Sequence, residues 1–372
     1  MNSLVQLADY GQSLWLDYIR RDFVEGGELR RMIEEDGLRG VTSNPAIFEK
    51  AITETTDYAA ELGTMHAESV RGARQVFEHL ALRDIRSAAD LLRPVYDRTE
   101  ATDGYVSFEV SPGLAHDTQG TIEEAQRLWR TINRPNLMIK VPATVEGLPA
   151  VETLLAEGIN INITLLFSQQ VYQLVADANL RALETRLQRG TTVNTLASVA
   201  SFFVSRIDSA IDGLLEQKLK TATASERSRI ESLLGRAAIA NARCAYARFR
   251  ETFSGPRWEV LRAKGARPQR LLWASTSTKN PCYRDVVYVE ELIGPDTVNT
   301  MPPGTAAAFR DHGLLRNSLE EDPTGAARTL ADLEALSVSL DDVTKRLLDD
   351  GVKAFAAAFQ SLLDAVRAEV MA

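Results

Sequence analysis

Eight short apolar runs, each followed by a stretch of helical periodicity, constrain this chain more than any other feature. The runs cover residues 13–19, 39–45, 105–111, 137–141, 159–165, 193–204, 269–275 and 296–301. Leu137-Met-Ile-Lys-Val141, bounded by Pro135 and Pro142, reads as a strand buried on both faces, which is how parallel strands sit between layers. Strands alternating with helices predict a parallel sheet covered by those helices. An open doubly wound sheet would carry a Gly-rich phosphate loop after its first strand, and none is present. The expected fold is therefore α/β, a (β/α)8 TIM barrel.

Helices are expected at 25–36, 121–133, 147–157 and from Ser168, as cap, to Gly190. Two more fall within 57–98, with Val70, Val76, Phe77 and Leu80 in the first and Ile85, Ala88, Leu91 and Leu92 in the second. Thr121-x-x-Glu124 has the spelling of a capping box. A long helical region to about 253 is broken near 221–225, and Ser339 caps a last helix. No low-complexity linker divides the chain, so 1–372 reads as one domain, with about 320–372 as a helical C-terminal extension packed on the barrel.

Composition narrows the function. The 372 residues carry a formal net charge of -9, which argues against a nucleic-acid surface or an anionic membrane as the main partner. A local cluster of cations for a phosphorylated small molecule stays compatible with that balance. No apolar run approaches the ~20 residues of a membrane span, and the first ten residues lack the basic start and apolar core of a signal peptide. Cys244 and Cys282, with His66, His79, His116 and His312, show no metal-ligand spacing, so no metal is expected. A reducing cytoplasm is the expected compartment.

In a barrel of this kind the chemistry sits at the C-terminal ends of the strands. Polar residues fall there in strand after strand: Asp17, Asn44, Glu109, Lys140, Asn162 with Thr164, Ser201, and Ser275 with Ser277. Each has a plain structural alternative. Lys140 can snorkel to water, Asp17 can pair with an arginine, Asn44 can serve a turn, and Glu109 can be a solvated acid. Asn160, Asn162 and Thr164 can form a polar face inside the barrel. Their recurrence at one end weighs against those readings, because barrel interiors are filled mainly by Val, Ile and Leu.

The same residue types support one chemistry. Desolvation favours a neutral Lys140, an amine able to attack a ketone and form a Schiff base. Asp17 can move the proton as a carbon–carbon bond breaks, and its expected ionic partner is Lys140 across the barrel mouth. Glu109 and Thr164 can orient a water, while Asn44, Asn162 and Ser201 can hold the hydroxyls of a polyol. Arg206 and Lys279 offer cations for a phosphate. The alternatives there are a salt bridge from Arg206 to Asp208 or Asp212, and a solvated Lys279.

Six motifs in order carry a family resemblance: Gly40-Val-Thr-Ser-Asn-Pro-Ala-Ile-Phe-Glu-Lys50, Val106-Ser-Phe-Glu-Val-Ser111, Leu137-Met-Ile-Lys-Val-Pro-Ala143, Asn160-Ile-Asn-Ile-Thr-Leu-Leu-Phe-Ser168, Ser201-Phe-Phe-Val-Ser-Arg206 and Trp273-Ala-Ser-Thr-Ser-Thr-Lys-Asn280. Together, over about residues 13–305, they resemble transaldolase. The resemblance implies a cofactor-free, Schiff-base-forming enzyme on a circularly permuted barrel of the class I aldolase type. It would be a transferase of the pentose phosphate pathway, moving a dihydroxyacetone unit from sedoheptulose 7-phosphate to glyceraldehyde 3-phosphate. By the same resemblance Lys140 forms the Schiff base, Asp17 is the acid/base, and Glu109 and Thr164 serve the catalytic water. Asn44, Asn162 and Ser201 bind the dihydroxyacetone part, and Arg206, Ser277 and Lys279 take the phosphate. Shorter family members have an arginine where Lys279 stands, two residues closer to the strand. Sugar phosphates are the implied partners, with no nucleic acid and no membrane, for a monomer or homodimer. The rival readings are a class I aldolase that releases its triose to water, and a non-catalytic sugar-phosphate-binding barrel.

Overall fold

A computed structural model describes residues 2–67 and 72–371. Among these, eight strands close into one barrel in chain order: β1 (Gln12–Asp17), β2 (Gly40–Thr42), β3 (Tyr105–Glu109), β4 (Leu137–Pro142), β5 (Ile161–Leu166), β6 (Ser198–Phe203), β7 (Arg270–Ala274) and β8 (Thr297–Met301). Every neighbouring pair is parallel, and β8 closes on β1 with Trp15 opposite Thr300. The (β/α)8 barrel expected from the alternation is the fold observed. Parallel strands need long crossovers, and the helices between them supply these and bury both sheet faces.

Several boundaries differ for local reasons. Residues 193–197 lead into β6 and are not part of it. Gly26 and Gly27 divide the first expected helix into Arg21–Glu25 and Glu28–Glu35, with Gly27 at φ 96, a value that favours glycine. Val76, Phe77 and Leu80 share one helix, Ala73–Arg98, with Ile85, Ala88 and Leu92; the preceding helix is Ala59–Ala67, and Val70 lies outside the described residues. The Thr121-x-x-Glu124 box does not form, because Asp117 caps that helix four residues earlier, accepting from Gly120 N at 2.9 Å. Thr121 Oγ1 instead donates to Leu114 O, and Glu124 accepts from Ser111 N and pairs with Arg74. Ser168 does cap its helix, accepting from Gln170 N and Val171 N.

The last helix, Leu340–Met371, crosses the barrel's C-terminal end. It packs on the helix Pro45–Thr53, on the turn Pro112–Leu114 and on β5. An aromatic series anchors it: Phe359 meets Phe77 edge to face at 5.8 Å, Phe77 meets Phe48, and Phe48 meets Phe108 of β3. Gly351 marks the closest approach, since a Cβ there would lie 2.9 Å from Leu165 Cδ2. Among the described residues no helix is long and apolar enough to cross a membrane.

Candidate active site

Parallel register assembles the site. Glu109 is the Cα partner of Lys140 across β3 and β4, and Lys140 is the partner of Asn162 across β4 and β5. Three polar side chains therefore stand at one level of the barrel. Asp17 ends β1 opposite Thr42, and Ser201 lies near the end of β6.

Lys140 does not snorkel. Its side chain is 6% exposed and that of Glu109 is 9%, which makes their contact a buried ion pair. Nζ lies 2.5 Å from Glu109 Oε1 and donates to Ser43 O at 2.8 Å. The ionic partner is thus Glu109, in place of the Asp17 expected from the sequence. Neighbouring strands bring Cα partners together, whereas Asp17 stands across the mouth. Burial pushes the Glu109 carboxyl above the usual carboxylate range, with Lys140 opposing that rise and Asp17 reinforcing it.

Asp17 is part-buried and hydrogen-bonded: Thr42 Oγ1 donates to its Oδ1 at 2.7 Å, and Thr42 Oγ1 lies 2.8 Å from Thr300 Oγ1. Burial raises its carboxyl, while the charge of Lys140, the Thr42 bond and the charge of Arg206 hold it down. Asn162 forms a buried chain, accepting from Ser201 Oγ at 2.6 Å and donating to Ser107 Oγ at 3.1 Å. Ser107 was not singled out in the sequence, nor were Thr42, Ser43 and Thr300. The inward alternation of β2, β3 and β8 was the available signal for Thr42, Ser107 and Thr300. Ser43 acts through its backbone carbonyl, which no residue type announces.

Thr164 is buried with a hydroxyl that has no hydrogen-bond partner among the described residues. It precedes a bulge in β5, where the register to β6 shifts between Ile163 and Leu166 and Leu165 adopts φ 60. A leucine in the left-handed region costs of order 1–3 kcal/mol and persists only where its surroundings enforce it. Asn160 does not share this site. Its Nδ2 donates to Pro135 O and Leu137 O and its Oδ1 accepts from Ala197 N, tying three segments together at the other end of β5.

Asn44 serves two masters. Its Oδ1 caps the helix Pro45–Thr53 through Ile47 N at 3.1 Å, with Pro45 at the first helical position, which leaves Nδ2 as the group able to face a ligand.

Arg206 and Lys279 form the cationic part. No ion pair reaches Arg206 among the described residues, and its guanidinium stacks 5.2 Å from the centre of the Phe203 ring. Its two sequence-level candidates are engaged elsewhere: Asp208 accepts from Ala238 N and Tyr288 Oη, and Asp212 from Gly235 N and Tyr283 Oη. Burial lowers the Arg206 pKa from its ordinary value, and nearby Asp17 opposes that. Lys279 Nζ donates to Ser277 Oγ at 2.7 Å, and its pKa is depressed by burial and then by the charge of Arg206. Neither cation has an ion pair among the described residues, and two like charges in such proximity are suited to an anion. Ser275 stays outside this group: at φ 57, its Oγ lies 3.0 Å from Ser205 Oγ.

The arrangement therefore combines a buried amine beside an acid of raised pKa, a second raised acid, hydrogen-bonded amides and two neighbouring cations. Among the described residues no group of His, Cys, Asp and Glu side chains could hold a metal ion.

Comparison with known proteins identifies the family. Residues 14–366 match the transaldolase/fructose-6-phosphate aldolase family. The chain is 46% identical over 374 residues to a transaldolase of Trichodesmium erythraeum, covering 99% of this chain and 98% of that protein. It is 48% identical over 363 residues to one of Thiobacillus denitrificans, covering 98% and 99%. Against one of Thermobifida fusca it is 46% identical over 370 residues, covering 99% and 98%.

Proposed function

The chain belongs to the transaldolase/fructose-6-phosphate aldolase family, and we propose that it acts as a transaldolase through a Schiff base on Lys140. The observation that carries the mechanism is the buried pair of Lys140 and Glu109 at 2.5 Å. An ion pair in a low-dielectric site is costly to maintain, and passing one proton from Nζ to the raised Glu109 carboxyl leaves two neutral groups. The resulting amine attacks the C2 carbonyl of a ketose phosphate. Glu109 then returns the proton to the leaving carbinolamine oxygen, and Thr164, with its unpaired hydroxyl, helps to hold the water.

Asp17 takes the proton from the C4 hydroxyl as the C3–C4 bond breaks, which burial favours by raising its affinity for a proton. An aldose phosphate leaves, and the dihydroxyacetone unit stays on Lys140. Asn162, Ser201 and the Nδ2 of Asn44 hold its hydroxyls. An acceptor aldehyde enters, the bond forms in reverse, and Asp17 gives the proton back. Arg206, Lys279 and Ser277 hold the phosphate of donor and acceptor. The donor–acceptor pair is sedoheptulose 7-phosphate with glyceraldehyde 3-phosphate, giving erythrose 4-phosphate and fructose 6-phosphate. Free Cys244 and Cys282 support a reducing cytoplasm as the place of work.

Borohydride reduction in the presence of donor tests the covalent step. A stable adduct on Lys140, absent in Lys140→Arg together with all turnover, is the expected result, because a guanidinium stays charged and is not a nucleophile here. Adduct retained in Lys140→Arg would overturn the assignment.

A further inference from the structure

Lys140, Glu109 and Thr164 line a cavity of about 20 Å³, completed by Leu165, by Val110, Pro112, Ala115 and Pro142, and by Val352 and Phe355 of the C-terminal helix. That volume is about the size of one water, in a half-open recess. The polar wall comes from the barrel strands, and the outer wall is apolar and comes partly from a helix remote in sequence. Two features hold this helix close. Gly351 has no Cβ where one would press on Leu165, and a mid-helix glycine costs about 1 kcal/mol relative to alanine. Leu165 reaches that contact from its left-handed backbone at the β5 bulge.

We infer that Val352 and Phe355 determine reaction specificity: their apolar wall keeps solvent from the adduct on Lys140, so the bound triose goes to an aldehyde and not to water. The inference rests on the transaldolase reading above. Forming the first Schiff base expels one water, and hydrolysing the product Schiff base consumes one. Transfer and release therefore have the same water balance, and they differ in what meets the adduct between these events. Between these events the triose is an enamine on Lys140. In transfer, its nucleophilic carbon bonds to the carbonyl carbon of the acceptor while Asp17 protonates the oxygen formed there. In release, the same carbon takes a proton from solvent and water adds to the imine carbon. The carbon–nitrogen bond then breaks, freeing dihydroxyacetone and the Lys140 amine. Only the second route draws a proton from solvent onto the nucleophilic carbon and brings water to the adduct before an acceptor has bonded, and an apolar wall opposes both.

The test compares full-length enzyme with Phe355→Ala, Phe355→Leu and Val352→Ala. Fructose 6-phosphate is supplied alone, to measure free dihydroxyacetone, and with erythrose 4-phosphate, to measure transfer. Phe355→Ala should raise the ratio of release to transfer by about tenfold, with Phe355→Leu and Val352→Ala changing it in the same direction by less. KM for erythrose 4-phosphate should stay within about twofold, since Arg206, Ser277 and Lys279 do not line this recess, and borohydride should still trap the adduct on Lys140. A trapped adduct with an unchanged ratio in any folded variant would overturn the role of the helix and leave the Schiff-base reading standing. Absence of a trapped adduct in the unmutated enzyme would overturn both.

Discussion

The two ends of the barrel hold similar groups in opposite states. At the N-terminal end Asp103, 1% exposed, accepts from Ser13 Oγ at 2.7 Å, from Trp15 Nε1 at 3.1 Å and from Arg270 Nη2 at 2.9 Å. Arg270 also donates to Ser13 Oγ and Thr102 O, and Arg39 adds a further charge at 3.6 Å. Acid and base saturate each other there. At the C-terminal end Glu109 and Asp17 outnumber Lys140, both acids are raised by burial, Thr164 has an unpaired hydroxyl and Arg206 has no ion-pair partner among the described residues. Burial is thus common to both ends. What distinguishes the C-terminal end is incomplete pairing, which leaves donors available to a ligand.

Breaking the reactive end should cost activity and not stability. Asp17→Asn should lower kcat by roughly 10²–10⁴, with donor adduct accumulating before cleavage in rapid-quench trapping. If no adduct forms while the melting temperature is unchanged, Asp17 acts at carbinolamine formation instead. The stability side has a definite sign. A carboxyl whose folded pKa is raised contributes stability that is fully present below its unfolded pKa and is lost as pH rises through the folded value. The Asn variant should therefore melt at or above the unmutated enzyme at neutral pH, and that advantage should vanish in acid below the ordinary aspartate range.

Asp103→Ala should behave in the opposite way. Removing one partner of a buried pair strands Arg270 and should cost about 3–5 kcal/mol of unfolding free energy, measured by urea denaturation. Turnover per folded molecule should stay within about twofold; a larger fall would mean that the two ends communicate.

Arg206→Ala sharpens the anion assignment. KM for phosphorylated substrates should rise more than about tenfold, as a charge-assisted bond is worth ~1.5–3 kcal/mol. An unphosphorylated acceptor should be affected far less. Equal losses on both would make Arg206 structural, a stacking partner for Phe203.

Thr42→Val is the mildest probe. It removes the hydroxyl that stabilises ionised Asp17, so the acidic limb of the kcat/KM profile should move to higher pH while the rate at pH 8 stays within about threefold. A limb that does not move would assign it to Glu109.

Much of the site was legible in the chain itself. Eight apolar runs alternating with helical segments required parallel strands covered on both faces, and that pattern led to the barrel without reference to distant contacts. Asp17, Glu109, Lys140, Asn162, Thr164 and Ser201 stood out because a polar residue at the end of an apolar strand is costly unless it is used. Ser168 as a cap was equally local. What tertiary structure decided were choices between spatial neighbours. Lateral register gave Lys140 to Glu109 and not to Asp17. Contacts made by Ala238, Tyr288, Gly235 and Tyr283 occupied Asp208 and Asp212 and left Arg206 without an ion pair among the described residues. The last helix and its packing on the barrel were readable, but pattern specifies only that a face is buried. That Val352 and Phe355 come to rest beside Lys140 depended on Gly351 meeting Leu165, a contact across about half the chain that no local periodicity encodes.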